Sequence, residues 1–77
     1  MTLACLRYAR TQGGKYELRL YEDVDASFSV RAFENGVLWF ASVGWATRGQ
    51  ADMAFNQFVV NSAGEQTYLE QAVQAGR

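Results

Sequence analysis

The sequence predicts an α+β fold, a four-stranded antiparallel sheet followed by one long and one short helix packed on it, and three observations carry that prediction. Apolar and polar residues alternate through "KYELRLYE" (15–22) and again through "SFSVRAF" (27–33), the period-2 pattern of half-buried strands. Asn35-Gly36 lies between two such runs, where a two-residue hairpin turn needs positive φ at both positions. Past Trp45 the apolar spacing changes to that of one helix face.

In chain order, "LACLRYAR" (3–10) reads as the first strand and "TQGG" (11–14) as a turn whose two glycines accept positive φ. The second strand puts Tyr16, Leu18 and Leu20 on one face and Glu17, Arg19 and Tyr21 on the other. "DVDA" breaks the pattern. The third strand then places Phe28, Val30 and Ala32 inward and Ser29, Arg31 and Phe33 outward. The fourth runs from Val37 to Val43, and Thr47 caps a helix over 48–62 that aligns Ala51, Ala54, Phe55, Phe58, Val59 and Ser62. Gly64 occupies a helix C′ position. "EQTYLEQAVQA" (65–75) reads as the short second helix, with Tyr68, Leu69, Ala72 and Val73 as its apolar side. Phe55 and Phe58 are expected against Phe28 and Val30.

The fourth strand is apolar in both of its alternating sets. Val37, Trp39, Ala41 and Val43 form one, and Leu38, Phe40 and Ser42 the other. A strand apolar on both faces is buried on both, and one helix covers only one. The sequence leaves two solutions open. In one, a homodimer has an interface that includes this strand, with Trp39 or Phe40 near its centre. In the other, a monomer has the 65–75 helix folded over the free face.

The chain has 77 residues and reads as a single domain over 1–77, near the lower size for independent folding. Such a core supplies only ~3–5 kcal/mol, and small domains add a disulfide, a metal or a second chain. Cys5 is the only cysteine and there is no histidine, so neither an internal disulfide nor a zinc site is expected. Association with another chain remains. Net charge is −1, against the basic balance of a general nucleic-acid binder, although six of the seven basic residues are arginine. No apolar run approaches the roughly 20 residues of a membrane span. The arginines of "MTLACLRYAR" follow its apolar part, the wrong order for a secretory signal. The lone thiol fits a reducing, cytoplasmic setting.

Catalytic chemistry is not expected. Without histidine the usual base for a Ser or Cys nucleophile is missing. Cys5, within a strand, reads as a small core residue. Glu22, Asp23 and Asp25 read as turn residues, without the Gly and distal Glu of a calcium loop. "GWATRGQ" precedes a helix without either glycine-rich phosphate motif. No catalytic residue, metal or cofactor is assigned.

Arg19, Arg31 and Arg48 with Tyr21 and Phe33 form a candidate arginine–aromatic surface on the exposed sheet face. It reads either as a partner-binding site or as a solvated face in which Arg19 and Arg31 pair with Glu17 and Glu34. Trp45 either plugs the end of the core or stands exposed as an anchor; Trp, Tyr and Arg are the types that dominate interface energetics. The candidate partner-binding set is therefore Arg19, Tyr21, Arg31, Phe33, Trp45 and Arg48.

From "GKYELRL" through "VGWATRGQADMAFNQFVVNSA" the chain resembles the small bacterial YegP-like domain of unknown function. Gly14, Tyr16, Leu18, Gly44, Trp45, Ala51 and Val59 sit at comparable places, a strand opening on Gly-x-Tyr leading to a Gly-aromatic turn and a helix. Tyr16, Trp45 and Arg48-Gly49-Gln50 also make it similar to the WGR module of DNA-repair proteins, which implies nucleic-acid binding. In character, rather than by motif, the compact acidic chain is similar to the small inhibitors encoded by phages and mobile elements, anti-CRISPR proteins among them. That likeness implies a rigid surface occluding a host protein. The expectation is a non-catalytic protein-interaction domain, most specifically an inhibitor of that kind; the alternative is a small WGR-like nucleic-acid-binding β module.

Overall fold

The structure, a computed structural model, describes residues 2–62, 64 and 66–73. Strands β1 (Thr2–Arg10), β2 (Tyr16–Asp23), β3 (Phe28–Glu34) and β4 (Val37–Trp45) precede helix α1 (Arg48–Ser62) and a short strand β5 (Leu69–Gln71). They form one five-stranded sheet in the order β4-β3-β2-β1-β5, antiparallel at every junction. The helix lies on one face over β2, β3 and β4, so the class is α+β. Among the described residues no helix is long and apolar enough to cross a membrane.

The local chemistry explains most boundaries. Asn35 and Gly36 have φ of 51° and 81°, the two positive values of a type I′ turn, which matches strand twist. Gly13 and Gly14 are also left-handed in the β1–β2 turn, closed by a bond from the Gly14 N–H to the Thr11 carbonyl at 2.9 Å. Between β2 and β3 the Asp25 carboxylate accepts from both the N–H and the hydroxyl of Ser27. These bonds hold the Asp25 pKa below its ordinary value. The helix opens on a capping box. Thr47 Oγ1 accepts from the Gln50 N–H at 3.2 Å, and Gln50 Oε1 accepts from the N–H groups of Ala46 and Thr47.

The core takes Ala9, Leu18, Leu20, Val30 and Ala32 from the sheet, Ala51 and Phe55 from α1, and Tyr68 from the segment leading into β5. Phe28, Trp45, Phe58 and Val59 pack around it, only partly buried. Phe55 is thus the central aromatic, and Phe58 lies at the margin.

Three expectations are corrected. The 65–75 segment is not a second helix over its described residues, since Leu69–Gln71 pairs antiparallel with Tyr8–Arg10; Glu65, Gln74 and Ala75 lie outside the described residues. Contacts with the rest of the chain override the helical spacing. Tyr68 is buried edge-on to Phe58, at 5.7 Å between centroids, while Glu70 receives two bonds from Arg7 at 2.9 and 2.7 Å.

β4 is not buried on both sides within the chain, because it is an edge strand and the most exposed in the sheet. Nor does it alternate throughout. Phe33 pairs with Leu38 and Ala32 with Phe40, so Trp39 is the extra residue of a bulge. That insertion brings consecutive aromatics to the helix side.

Finally, Cys5 is half-buried on the face away from the helix, rather than a core residue. A register shift between Cys5 and Arg7 turns Leu6 and Arg7 both toward the helix side.

Candidate interaction surfaces

The face opposite α1 is the predicted arginine–aromatic surface, with a changed membership. Arg19 and Arg31 lie directly across from each other on β2 and β3, a like-charge pair that is unfavourable alone. Aromatic rings and carboxylates compensate it. The Arg19 guanidinium lies 5.2 Å from the Tyr8 ring and 5.4 Å from that of Phe33, and Arg31 sits 6.0 Å from the Tyr21 ring. Arg19 donates to Glu17 at 3.0 Å and to the Tyr21 hydroxyl at 3.3 Å. Burial opposes its charge, but these bonds outweigh the burial and its pKa moves up. Arg31 reaches Asp23 at 3.6 Å and donates to Ser29 at 3.1 Å.

The pairing of Arg19 with Glu17 follows the solvated-face reading. Arg31, however, takes Asp23, because the Glu34 carboxylate lies toward Lys15 at 3.8 Å. Tyr8 completes the layer and donates to Glu17 at 2.6 Å. Burial, then that bond, push its hydroxyl pKa up. Sequence spacing missed Tyr8, since its face is decided by the shift at Cys5–Arg7 and not by simple alternation.

Trp45 and Arg48 do not join this layer. Trp45 pairs with Phe28 on the helix side, packs against the core and donates from Nε1 to Ser42 at 3.0 Å. Arg48 opens α1 and lies 3.7 Å from Asp52. The six sequence candidates therefore divide, with Arg19, Tyr21, Arg31 and Phe33 on one face and Trp45 and Arg48 on the other side of the sheet.

A second surface lies along the β4 edge. Trp39, Phe40 and Phe58 form a triangle of rings, with centroids 6.1 Å apart for Trp39–Phe40 and Trp39–Phe58 and 5.4 Å apart for Phe40–Phe58. Trp39 remains 51% exposed and Phe40 39%. Toward the helix N-terminus, Trp45, Gln50, Met53, Ala54 and Gln57 line a shallow groove that continues the triangle. Val37 at 67% and Met53 at 73% add exposed apolar surface to this ridge.

The far side of α1 has a different character. Arg7, stacked 4.2 Å over the Phe55 ring, joins Asp52 on α1 at 3.3 Å to Glu70 on β5 at 2.7 Å. Its bonds to Glu70, then the opposing effect of burial, leave the Arg7 pKa raised, and the same bonds hold Glu70 below its ordinary value. Helix charge is thus concentrated away from the ridge. Among the described residues no group of three His, Cys, Asp or Glu side chains is placed to hold a metal ion.

Compared with protein-family models, with curated proteins and with solved structures, the chain gives no match in any of the three.

Proposed function

We propose that this chain is a non-catalytic protein-interaction domain, and that the apolar ridge of β4 and α1 is its docking surface. One observation carries the proposal. Of the large apolar side chains left exposed, Val37, Trp39, Phe40 and Met53 are gathered at one sheet edge and the adjoining helix flank, whereas Val24, Leu69 and Val73 lie apart from them. Single exposed apolar residues are ordinary, but a contiguous group marks an interaction site. Trp39 has the rigid, amphipathic character of an interface anchor. The histidine-free composition supports the non-catalytic part of the reading.

The narrower form of this proposal is a small inhibitor of the anti-CRISPR kind, supported by the size and acidic balance of the chain. The nucleic-acid alternative has less support. Arg19 and Arg31 are engaged by Glu17 and Asp23, so the open face offers phosphates little beyond the exposed Arg10 opposite Glu17.

A photo-crosslinking amino acid placed at Val37, or at Asn56 as a control, tests the reading in the cells that make the protein. The expected outcome is a discrete protein adduct from Val37, absent from Asn56 and lost with Trp39→Glu. Equal adducts from both positions, or none, would overturn it. Salt-sensitive binding of a short single-stranded oligonucleotide would favour the nucleic-acid reading instead.

A further inference from the structure

We infer that the ridge is occupied by a second copy of this chain, giving a two-fold homodimer in which Trp39, Phe40 and Phe58 of each protomer meet those of the other. This inference rests on the docking surface proposed above and names its occupant.

Charge is the first argument. A two-fold axis sets a surface against itself, so any charge near the axis approaches its own like. β4 contains no charged residue from Val37 to Trp45. The helix residues that continue the ridge, Met53, Ala54, Gln57 and Phe58, are uncharged as well. The charges of α1 are Arg48 and Asp52, the latter held by Arg7 on the other flank. At the hairpin end, Glu34 opposite Val37 is matched by Lys15. The ridge presents nothing for a charged partner to read and nothing that repels a copy of itself.

Area is the second. A fully covered large aromatic side chain removes ~150–250 Å² from water. The exposed fractions of Val37, Trp39, Phe40 and Met53 then leave on the order of 500 Å² of ridge side chain open, scaled from that value. The half-buried Phe58 and the unpaired edge of β4 add to it and bring the total toward the roughly 600 Å² per partner at the lower end of standard interfaces, while Leu38 and Val43 lie on the opposite face of the sheet.

The two sheet edges also differ. The β5 edge is three residues long and carries Glu70, both of which discourage strand addition. The β4 edge is nine residues long and uncharged. Its bulge at Trp39 interrupts a continuous inter-chain ladder. Side chains of the ridge therefore form the centre of the interface, and not a long run of backbone pairs. The β5 position also removes the intramolecular competitor for Trp39 and Phe40, because Leu69–Gln71 pairs at the opposite edge of the sheet from β4 and Tyr68 reaches only the core side of Phe58.

Sedimentation equilibrium at tens of micromolar decides the matter. The parent is expected at twice the 8.6 kDa chain mass. Two variants are run beside it. Trp39→Glu puts an unpaired charge at the centre, and Gln57→Glu brings two like charges together from an exposed helix site that cannot disturb the core. Both are expected at the single-chain mass with an unchanged circular dichroism spectrum; if Trp39→Glu fails to fold, Gln57→Glu alone decides. A parent at the single-chain mass, or a folded Gln57→Glu protein that stays dimeric, would overturn the inference. The Val37 crosslink separates this failure from that of the docking surface. An adduct containing only this chain agrees with the dimer. An adduct with another protein and a monomeric parent would sink the dimer while leaving the docking surface standing.

Discussion

Trp39 on the edge strand and Phe58 on the helix stand 6.1 Å apart, centroid to centroid, although one belongs to the most exposed strand and the other to the margin of the core. The bulge at Trp39 creates this relationship by placing Trp39 on the same side as Phe40. The ridge is therefore continuous with the core, so covering it in an interface extends the apolar cluster of a very small domain.

Phe55 and Phe58 separate core from ridge energetically. Phe55 is 1% exposed beneath the Arg7 guanidinium, so Phe55→Ala should cost ~3–5 kcal/mol in urea unfolding. Phe58→Ala, at the margin, should cost clearly less when measured on the Gln57→Glu background. Equal losses would contradict the packing.

Gly36 tests the hairpin. At φ 81° nothing crowds a new Cβ, so the effect of Gly36→Val comes from backbone conformation and not from a clash. The variant should lose the fold or shift the register of β3 and β4, seen as widespread changes in the amide NMR spectrum. An unchanged spectrum would contradict the turn assignment.

The Arg7–Glu70 pair predicts an acid-side effect. Arg7 holds the folded-state pKa of Glu70 below its unfolded value, so the pair's contribution is present above the unfolded pKa and fades as pH falls through the folded one. Glu70 is about half exposed, which limits the contribution to ~1 kcal/mol or less. The stability gap between the parent and Glu70→Gln should be fully open at neutral pH and close below the ordinary Glu value of about 4.3. A gap that does not change with pH would refute this.

Tyr68 makes the opposite case. Its hydroxyl is buried without a hydrogen-bond partner among the described residues, and burial raises its pKa. Tyr68→Phe should leave stability unchanged or increase it, because no bond is lost and a desolvation penalty is removed. A loss of more than ~1 kcal/mol on thermal or urea unfolding, the worth of a typical hydrogen bond, would mean that the hydroxyl has a partner.

What was legible in the sequence follows from how local each cause is. The Asn35-Gly36 turn, the alternation of Leu18 with Arg19 and Val30 with Arg31, and the Thr47 cap are set by residues within a few positions of one another. They stand in the structure as the pattern implied. The bulges at Leu6–Arg7 and at Trp39 have no glycine to announce them, so the faces of Tyr8 and Phe40 were out of reach. β5 depends on Tyr68 reaching Phe58 and Glu70 reaching Arg7, contacts across tens of residues that no local period encodes. The choice of Asp23 over Glu34 by Arg31 is of the same kind.

The central claim, that the ridge is covered in the working protein, is tested most directly at Trp39. With 5-fluorotryptophan in place of both tryptophans, fluorine NMR reports how strongly a soluble paramagnetic agent relaxes each indole. In a single chain Trp39 is half exposed, while Trp45 is packed against the core and bonded to Ser42. The account predicts that at tens of micromolar the parent's Trp39 is as well protected as Trp45, and that Gln57→Glu exposes Trp39 far more than Trp45, which keeps its packing on the core. A parent Trp39 relaxed as strongly as in that variant would contradict it.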